Sequence, residues 1–218
     1  MSRSGSRASS KRAAKGPYIW LVGIVLVAVA AAVIMSLLRD DGSSTDAGAA
    51  AVAETNDVTI DGAPLPELQE VDSAVGSPAP QATGTSLDGQ PIALLEAGTP
   101  TVIGFFAHWC PHCQAEVDEL SKHLASTGLA DDVRVIAVST SVDSTRGNFP
   151  PSAWFESEGW PTPVMTDDAN DSVAQAYGLS AFPFWAVVDA DGAVVGRSAG
   201  GIGVDRFDQL VELARTGR

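Results

Sequence analysis

The chain has 218 residues and a formal net charge of −14, enough length for one globular domain with extensions. All 27 acidic residues lie after Arg39, against eight basic ones from Arg39 onward, so this part carries −19 and is a poor match for nucleic acid or anionic lipid headgroups. Only two cysteines are present, Cys110 and Cys113, which excludes a scaffold stapled by several disulfides.

In chain order, residues 1–17 hold Arg3, Arg7, Lys11, Arg12 and Lys15 without an acid, a basic segment expected on the cytoplasmic side. Residues 18–38 are uncharged and apolar, long enough to cross a bilayer at about 20 residues per span, so a single transmembrane anchor is expected with everything after Leu38 outside the cell membrane. Ala28-Val29-Ala30 offers the alternative of a cleaved signal peptide, although apolar residues continue well past it. Residues 39–75 are rich in Ala, Gly, Ser, Asp and Pro and read as a flexible linker.

Residues 76–218 have the texture of a folded domain. Leu87-Asp88-Gly89-Gln90 is a turn between extended segments 81–86 and 91–94, which predicts a hairpin. Thr101 to Phe106 is an apolar strand that runs into Cys110-Pro111-His112-Cys113, and a helix is predicted from Pro111 to about Ser126 with Val117, Leu120 and Leu124 on one face. With a second buried strand at Val133 to Ser139, this makes a βαβ unit whose first strand ends at the dithiol, the usual address for chemistry in an open α/β sheet. A short helix over Asn148 to Glu158 and a strand over Pro163 to Thr166 follow. Next comes a helix capped by Asp168 and ending near Tyr177. Phe184 to Val188 and Ala193 to Arg197 flank an Asp-Ala-Asp-Gly turn, and a last helix is predicted from Asp205 through Ala214.

The cysteine pair carries the chemistry. In such a motif the first sulfur sits over a helix N-terminus, where unpaired N–H groups and the positive dipole end favour thiolate over thiol, making Cys110 the expected nucleophile. Pro111 suits the first turn because its missing N–H would have no intrahelical partner. A structural disulfide across so small a loop would remove little chain entropy, so a working redox pair is the better reading. Another class stays open, a copper- or zinc-binding or metal-delivery module using His108, Cys110, His112 and Cys113, four donors within six residues. Against it, Pro111 and helix geometry direct the donors apart, and His123 is the only other histidine.

The segments GSPAP (76–80), LDGQPIAL (87–94), TVIGFFAHWCPHCQAEVDEL (101–120) and YGLSAFPFWAVVDADGAVV (177–195), with the closing helix, resemble the TlpA/ResA-type thioredoxin-fold proteins, membrane-tethered extracytoplasmic thiol–disulfide oxidoreductases. The resemblance implies an α/β thioredoxin fold, a central mixed sheet flanked by helices, with an N-terminal hairpin and an inserted helix and strand over 148–166. It implies Cys110 as the attacking and Cys113 as the resolving cysteine, Trp109 shielding their disulfide, and no cofactor beyond that disulfide. Pro183 falls where the family keeps a cis-proline, which would set the Phe182 backbone beside Cys110 to pair with a client peptide. The implied partners are client proteins bearing thiols or disulfides and a membrane redox protein that recharges the dithiol; the domain is expected to be a monomer.

Gly104 and Pro111-His112 bear on direction, and Asp118 and Glu116 on the active-site helix. Gly104 stands where thioredoxins place a buried aspartate, so the carboxylate that deprotonates the resolving thiol is missing there. Asp118 replaces a kinking proline, and Glu116 matches a glutamate common in the family while also suiting an exposed helix face. Pro111-His112 is the dipeptide of the oxidising DsbA-type proteins, in which a protonated histidine stabilises the reduced form. Gly104 and Pro111-His112 favour a disulfide donor; the alternative is a reductant of client disulfides, as in preparing apocytochrome thiols. Trp154, Trp160 and Trp185 read as core or client-facing residues, and Asn170-Asp171-Ser172 as a helix cap rather than a glycosylation site.

Overall fold

A computed structural model describes residues 54–217. The expected basic segment 1–17, the anchor 18–38 and the first part of the linker, 39–53, lie outside the described residues. Among those described, no helix is long and apolar enough to cross a membrane.

The core is a five-stranded mixed sheet. Its centre is β4 (Thr101–Phe106), parallel to β5 (Arg134–Ser139) and antiparallel to β7 (Phe184–Val188); β6 (Val164–Thr166) extends it beyond β5 and β8 (Val194–Ala199) beyond β7. Strand periodicity divides β4 between two cores. Val102 and Phe106 face helix α1 (Pro111–Thr127), α2 (Pro151–Ser157) and α4 (Gly203–Thr216) in one apolar cluster. Ile103 and Phe105 face the other, with Tyr177 just after α3 (Ser172–Ala176) and buried residues of the N-terminal segment. Every residue of β4 is buried, which is why its sequence reads as an uninterrupted apolar run.

A second, three-stranded antiparallel sheet, β1 (Thr59–Asp61), β2 (Gln81–Thr85) and β3 (Pro91–Ala93), contains the hairpin expected around Asp88-Gly89. Its first strand departs from the expectation of a flexible linker through residue 75. Residues 54–75 lie against the domain: the Leu65 N–H donates to the Ala176 carbonyl at 2.8 Å, that of Leu68 to Gly178 at 2.9 Å, and Leu65 is buried. Gly178 has φ 69°, and a Cβ there would stand 2.2 Å from the Pro66 carbonyl oxygen, so only glycine admits this close approach. The segment is locked by Arg197, whose fully buried side chain meets Asp72 at 2.6 Å and also donates to the Pro66 and Tyr177 carbonyls. Polar composition hid this docking because the partners, Ala176 and Gly178 around the end of α3 and Arg197 of β8, come more than a hundred residues later. Asp72→Asn should strand the guanidinium without its counter-charge, costing about 3 kcal/mol and lowering Tm by the order of 10 °C in a thermal melt.

Helix boundaries shift modestly from their predicted places. The helix after β6 begins at Ser172, and its free N–H groups are met chiefly by Asp167, whose carboxylate accepts from Val173 and Ala174 at 2.9 and 3.1 Å. Asp168 accepts from Ser172 at 2.9 Å. Asp171, in the sequon, has φ 57° and turns its carboxylate back to Thr140 and Ser141. Asp118 pairs with Lys122 one turn on, on the outside of α1.

Candidate active site: a dithiol at a strand-to-helix corner

β4 delivers the chain to a tight corner, where the Cys110 N–H donates to the Ala107 carbonyl at 2.9 Å, and α1 starts at Pro111 with Cys110 as its N-cap residue. The proline sits in the first turn, so it removes no intrahelical bond. Both cysteines are free thiols. Cys110 retains 7% exposure and Cys113 none, so a client sulfur can approach only the first. Burial pushes the Cys113 thiol far up; a hydrogen bond with the Ala107 backbone works the other way, and the charges of Cys110 and Glu116 add to the rise. Cys113 therefore holds its proton until a base removes it.

Gly104 has a steric reason. A Cβ at this position would lie 2.7 and 2.8 Å from the Phe106 ring and 2.9 Å from that of Trp185, two rings packed edge to face at 5.4 Å. Aromatic carbon fills the space an aspartate would need. The site has a buried carboxylate all the same, on the other element. Glu116, one turn after Cys113, is 4% exposed and accepts the N–H of Ile202 at 3.0 Å and that of Gly203 at 3.3 Å, at the start of α4. Burial pushes its carboxyl up, the two backbone bonds hold it down, and Glu119 adds a small rise. The sequence admitted an exposed helix face for Glu116. The structure buries it because α4 crosses α1 there and its N-terminal N–H groups need an acceptor.

Trp109 is half-buried, with its Nε1–H donated to the Ser141 carbonyl at 2.7 Å and its ring edge-on to Phe182 at 6.1 Å. The Phe182–Pro183 peptide bond is cis, Pro183 is buried, and its carbonyl accepts the Gly200 N–H at 2.8 Å. His112 is exposed on the first turn of α1. His108 is buried and commits both ring nitrogens to the loop after β5, its Nδ1 at 2.8 Å from the Gly147 carbonyl and its Nε2 at 3.1 Å from the Asp143 nitrogen. The donor set His108, Cys110, His112 and Cys113 is thus split, and no three metal-ligating side chains gather among the described residues. Trp154 and Trp185 are core residues, and Trp160 packs partly buried against Phe106 and Phe155 of the same cluster.

Sequence reading passed over residues 141–147, where the Arg146 guanidinium lies 4.5 Å over the Trp109 ring, and began the next helix at Asn148, which has φ 59°, whereas α2 starts at Pro151. One signal was available: Arg146 is the sole basic residue between Arg134 and Arg197.

Comparison with known proteins agrees with this geometry. The family model described as Redoxin matches residues 74–211. The thiol:disulfide interchange protein DsbE of Haemophilus influenzae is 29% identical over 150 residues, covering 67% of this chain and 78% of the relative. The protein of the same name from Escherichia coli K12 is 26% identical over 182 residues, 81% of this chain and 82% of its own. The crystal structure of StoA from Bacillus subtilis superimposes with a TM-score of 0.51 at 16% identity, covering 62% of this chain and 98% of that one, a likeness of fold. With a mixed sheet of thioredoxin type and the Cys110–Cys113 pair at its strand-to-helix corner, the chain belongs to the Redoxin family and is a thioredoxin-fold thiol–disulfide oxidoreductase.

Proposed function

We propose that the protein reduces disulfides of client proteins outside the cytoplasmic membrane, tethered by residues 18–38 with 1–17 inside, and recharged by a membrane dithiol partner. Glu116 carries this reading. Disulfide donation was favoured because Gly104 leaves the resolving thiol without a base; a buried carboxylate one turn from Cys113 supplies that base from α1 instead. The TlpA/ResA resemblance points the same way, and the DsbE relatives are named for thiol:disulfide interchange.

In the first step the Cys110 thiolate attacks one client sulfur, forming a mixed disulfide and releasing the other client sulfur as thiolate. Glu116 then accepts the Cys113 proton, the Cys113 thiolate attacks Cys110 Sγ, and the second client thiolate leaves. Two electrons have passed to the client, and Cys110–Cys113 is a disulfide. Trp109 and Phe182 cover the pair, Phe182-Pro183 offers backbone to an extended client, and the carboxylate cradled by Ile202 and Gly203 stays in place throughout.

The Pro111-His112 pair favours the opposite direction, donation, and equilibrium in glutathione buffers decides between them. A reductant should show a potential below roughly −200 mV, towards the ~−270 mV of thioredoxin. A value near the ~−120 mV of DsbA would restore the donor reading.

A further inference from the structure

Two residues before Cys110, His108 commits both ring nitrogens to one loop. The Asp143 backbone N–H can only donate, so Nε2 accepts it and Nδ1 carries the proton that is given to the Gly147 carbonyl. The His108 carbonyl also accepts from Asn148 Nδ2 at 3.4 Å. Trp109 grips the same loop through Ser141 at one end and lies under Arg146 in its middle. Residues 141–149 are therefore fixed by the two side chains that precede the reactive cysteine.

This loop walls a groove of about 740 Å³, and Trp109 lines it too. Cys110 itself does not line the groove; Trp109, the residue before it in the chain, does, so the groove adjoins the exchange centre through that indole. Its charge is one-sided. Glu54, Asp143, Asp168 and Asp171 line it against Arg146, and that guanidinium is already stacked on the indole. Phe149, 43% exposed, adds an aromatic face for the stem and head of a long cation.

We propose that this groove is the recognition subsite for a client segment carrying lysine or arginine beside its cysteine, with His108 the positioning residue that holds the wall. The proposal rests on the thiol-exchange reading and names the clients that reading serves. An acidic segment meets repulsion in the groove, whereas a basic one is steered towards Cys110.

The test uses two single-cysteine peptides that differ only in Lys or Glu flanking the cysteine, each activated as a disulfide with thionitrobenzoate. They are mixed with the reduced full-length Cys113→Ser protein. Cys110 sulfur bonds to peptide sulfur, the peptide–thionitrobenzoate bond breaks, and the coloured thiolate leaves with the electron pair. The Lys peptide should react about tenfold faster at low salt, with the ratio falling towards one near 0.5 M salt. His108→Ala should collapse the ratio, while His108→Gln, whose side-chain oxygen can still accept the Asp143 N–H, should keep most of it. Asp143→Asn, which retains the acceptor for Thr145, should lower the ratio even if His108→Ala fails to fold. A purely structural His108 would slow both peptides alike and leave the ratio standing, which overturns its positioning role. Equal rates in the parent protein overturn the groove. Cysteine-free versions, followed by tryptophan fluorescence, read the groove without thiol chemistry: discrimination there without exchange sinks the oxidoreductase reading alone, and exchange without discrimination sinks the groove alone.

Discussion

Cys110→Ser is expected to abolish exchange with disulfide clients, by more than about 10³-fold, whereas Cys113→Ser should accumulate as a mixed disulfide with the client. The asymmetry follows from position. Cys110 is the N-cap residue of α1 and keeps 7% exposure against none for Cys113, so it is the only one of the pair that a client can touch. Cys113 is fully buried with its thiol pushed up, so it cannot begin the reaction and acts only once Cys110 is bonded. Without it, the mixed disulfide has no internal route to release. Non-reducing gels of the two variants, with mass spectrometry of the adduct, read the outcome directly. Brief iodoacetamide treatment of the reduced protein gives a second readout, with the label on Cys110 and Cys113 unmodified until the chain is unfolded. Label appearing first on Cys113 would reverse the assigned roles.

Much of this arrangement can be read from local sequence, for reasons that are themselves local. The unbroken apolar run of β4 is what a strand buried on both faces requires, and Pro111 after a strand marks a helix start. Asp88-Gly89 and Asp191-Gly192 mark their hairpins because Gly89 and Gly192 take φ of 77° and 81°. What escapes local reading depends on partners far along the chain. Residues 54–75 look like tether until Arg197 arrives from β8 to pair with Asp72. Glu116 looks like a surface residue until the Ile202 and Gly203 N–H groups of another helix close over it. His108 offers four-donor metal chemistry on paper, and the loop at Asp143 and Gly147 takes both its nitrogens. In each case the polar side chain finds its hydrogen-bond partner beyond any sequence window, and burial follows from the pairing.

Glu116→Gln should slow release of client from the mixed disulfide by about 10²-fold, the usual scale for loss of a positioned proton acceptor. Two effects of Glu116 on Cys113 oppose each other: the carboxylate can take the thiol proton, yet its charge also pushes that thiol up. If the charge effect governed the rate, glutamine would make Cys113 easier to ionise and resolution faster. Single-turnover release measured against pH separates them. The parent rate should rise with pH through a limb set by Glu116, which burial places above its ordinary 4.5, and the variant should lack that limb. Stability supplies an independent sign. A carboxyl raised on folding contributes stability that is full below its ordinary value and lost as pH rises through the raised one. At neutral pH the native protein therefore bears the cost of a buried carboxylate, which glutamine avoids while its oxygen keeps an acceptor for Ile202. The variant should accordingly melt higher than the parent at pH 7, with the margin shrinking as pH falls towards 4.5. A variant that is more stable and slower has lost chemistry and not fold; one that resolves faster would sink the role of Glu116 as base and, with it, the main ground for reading the protein as a reductant.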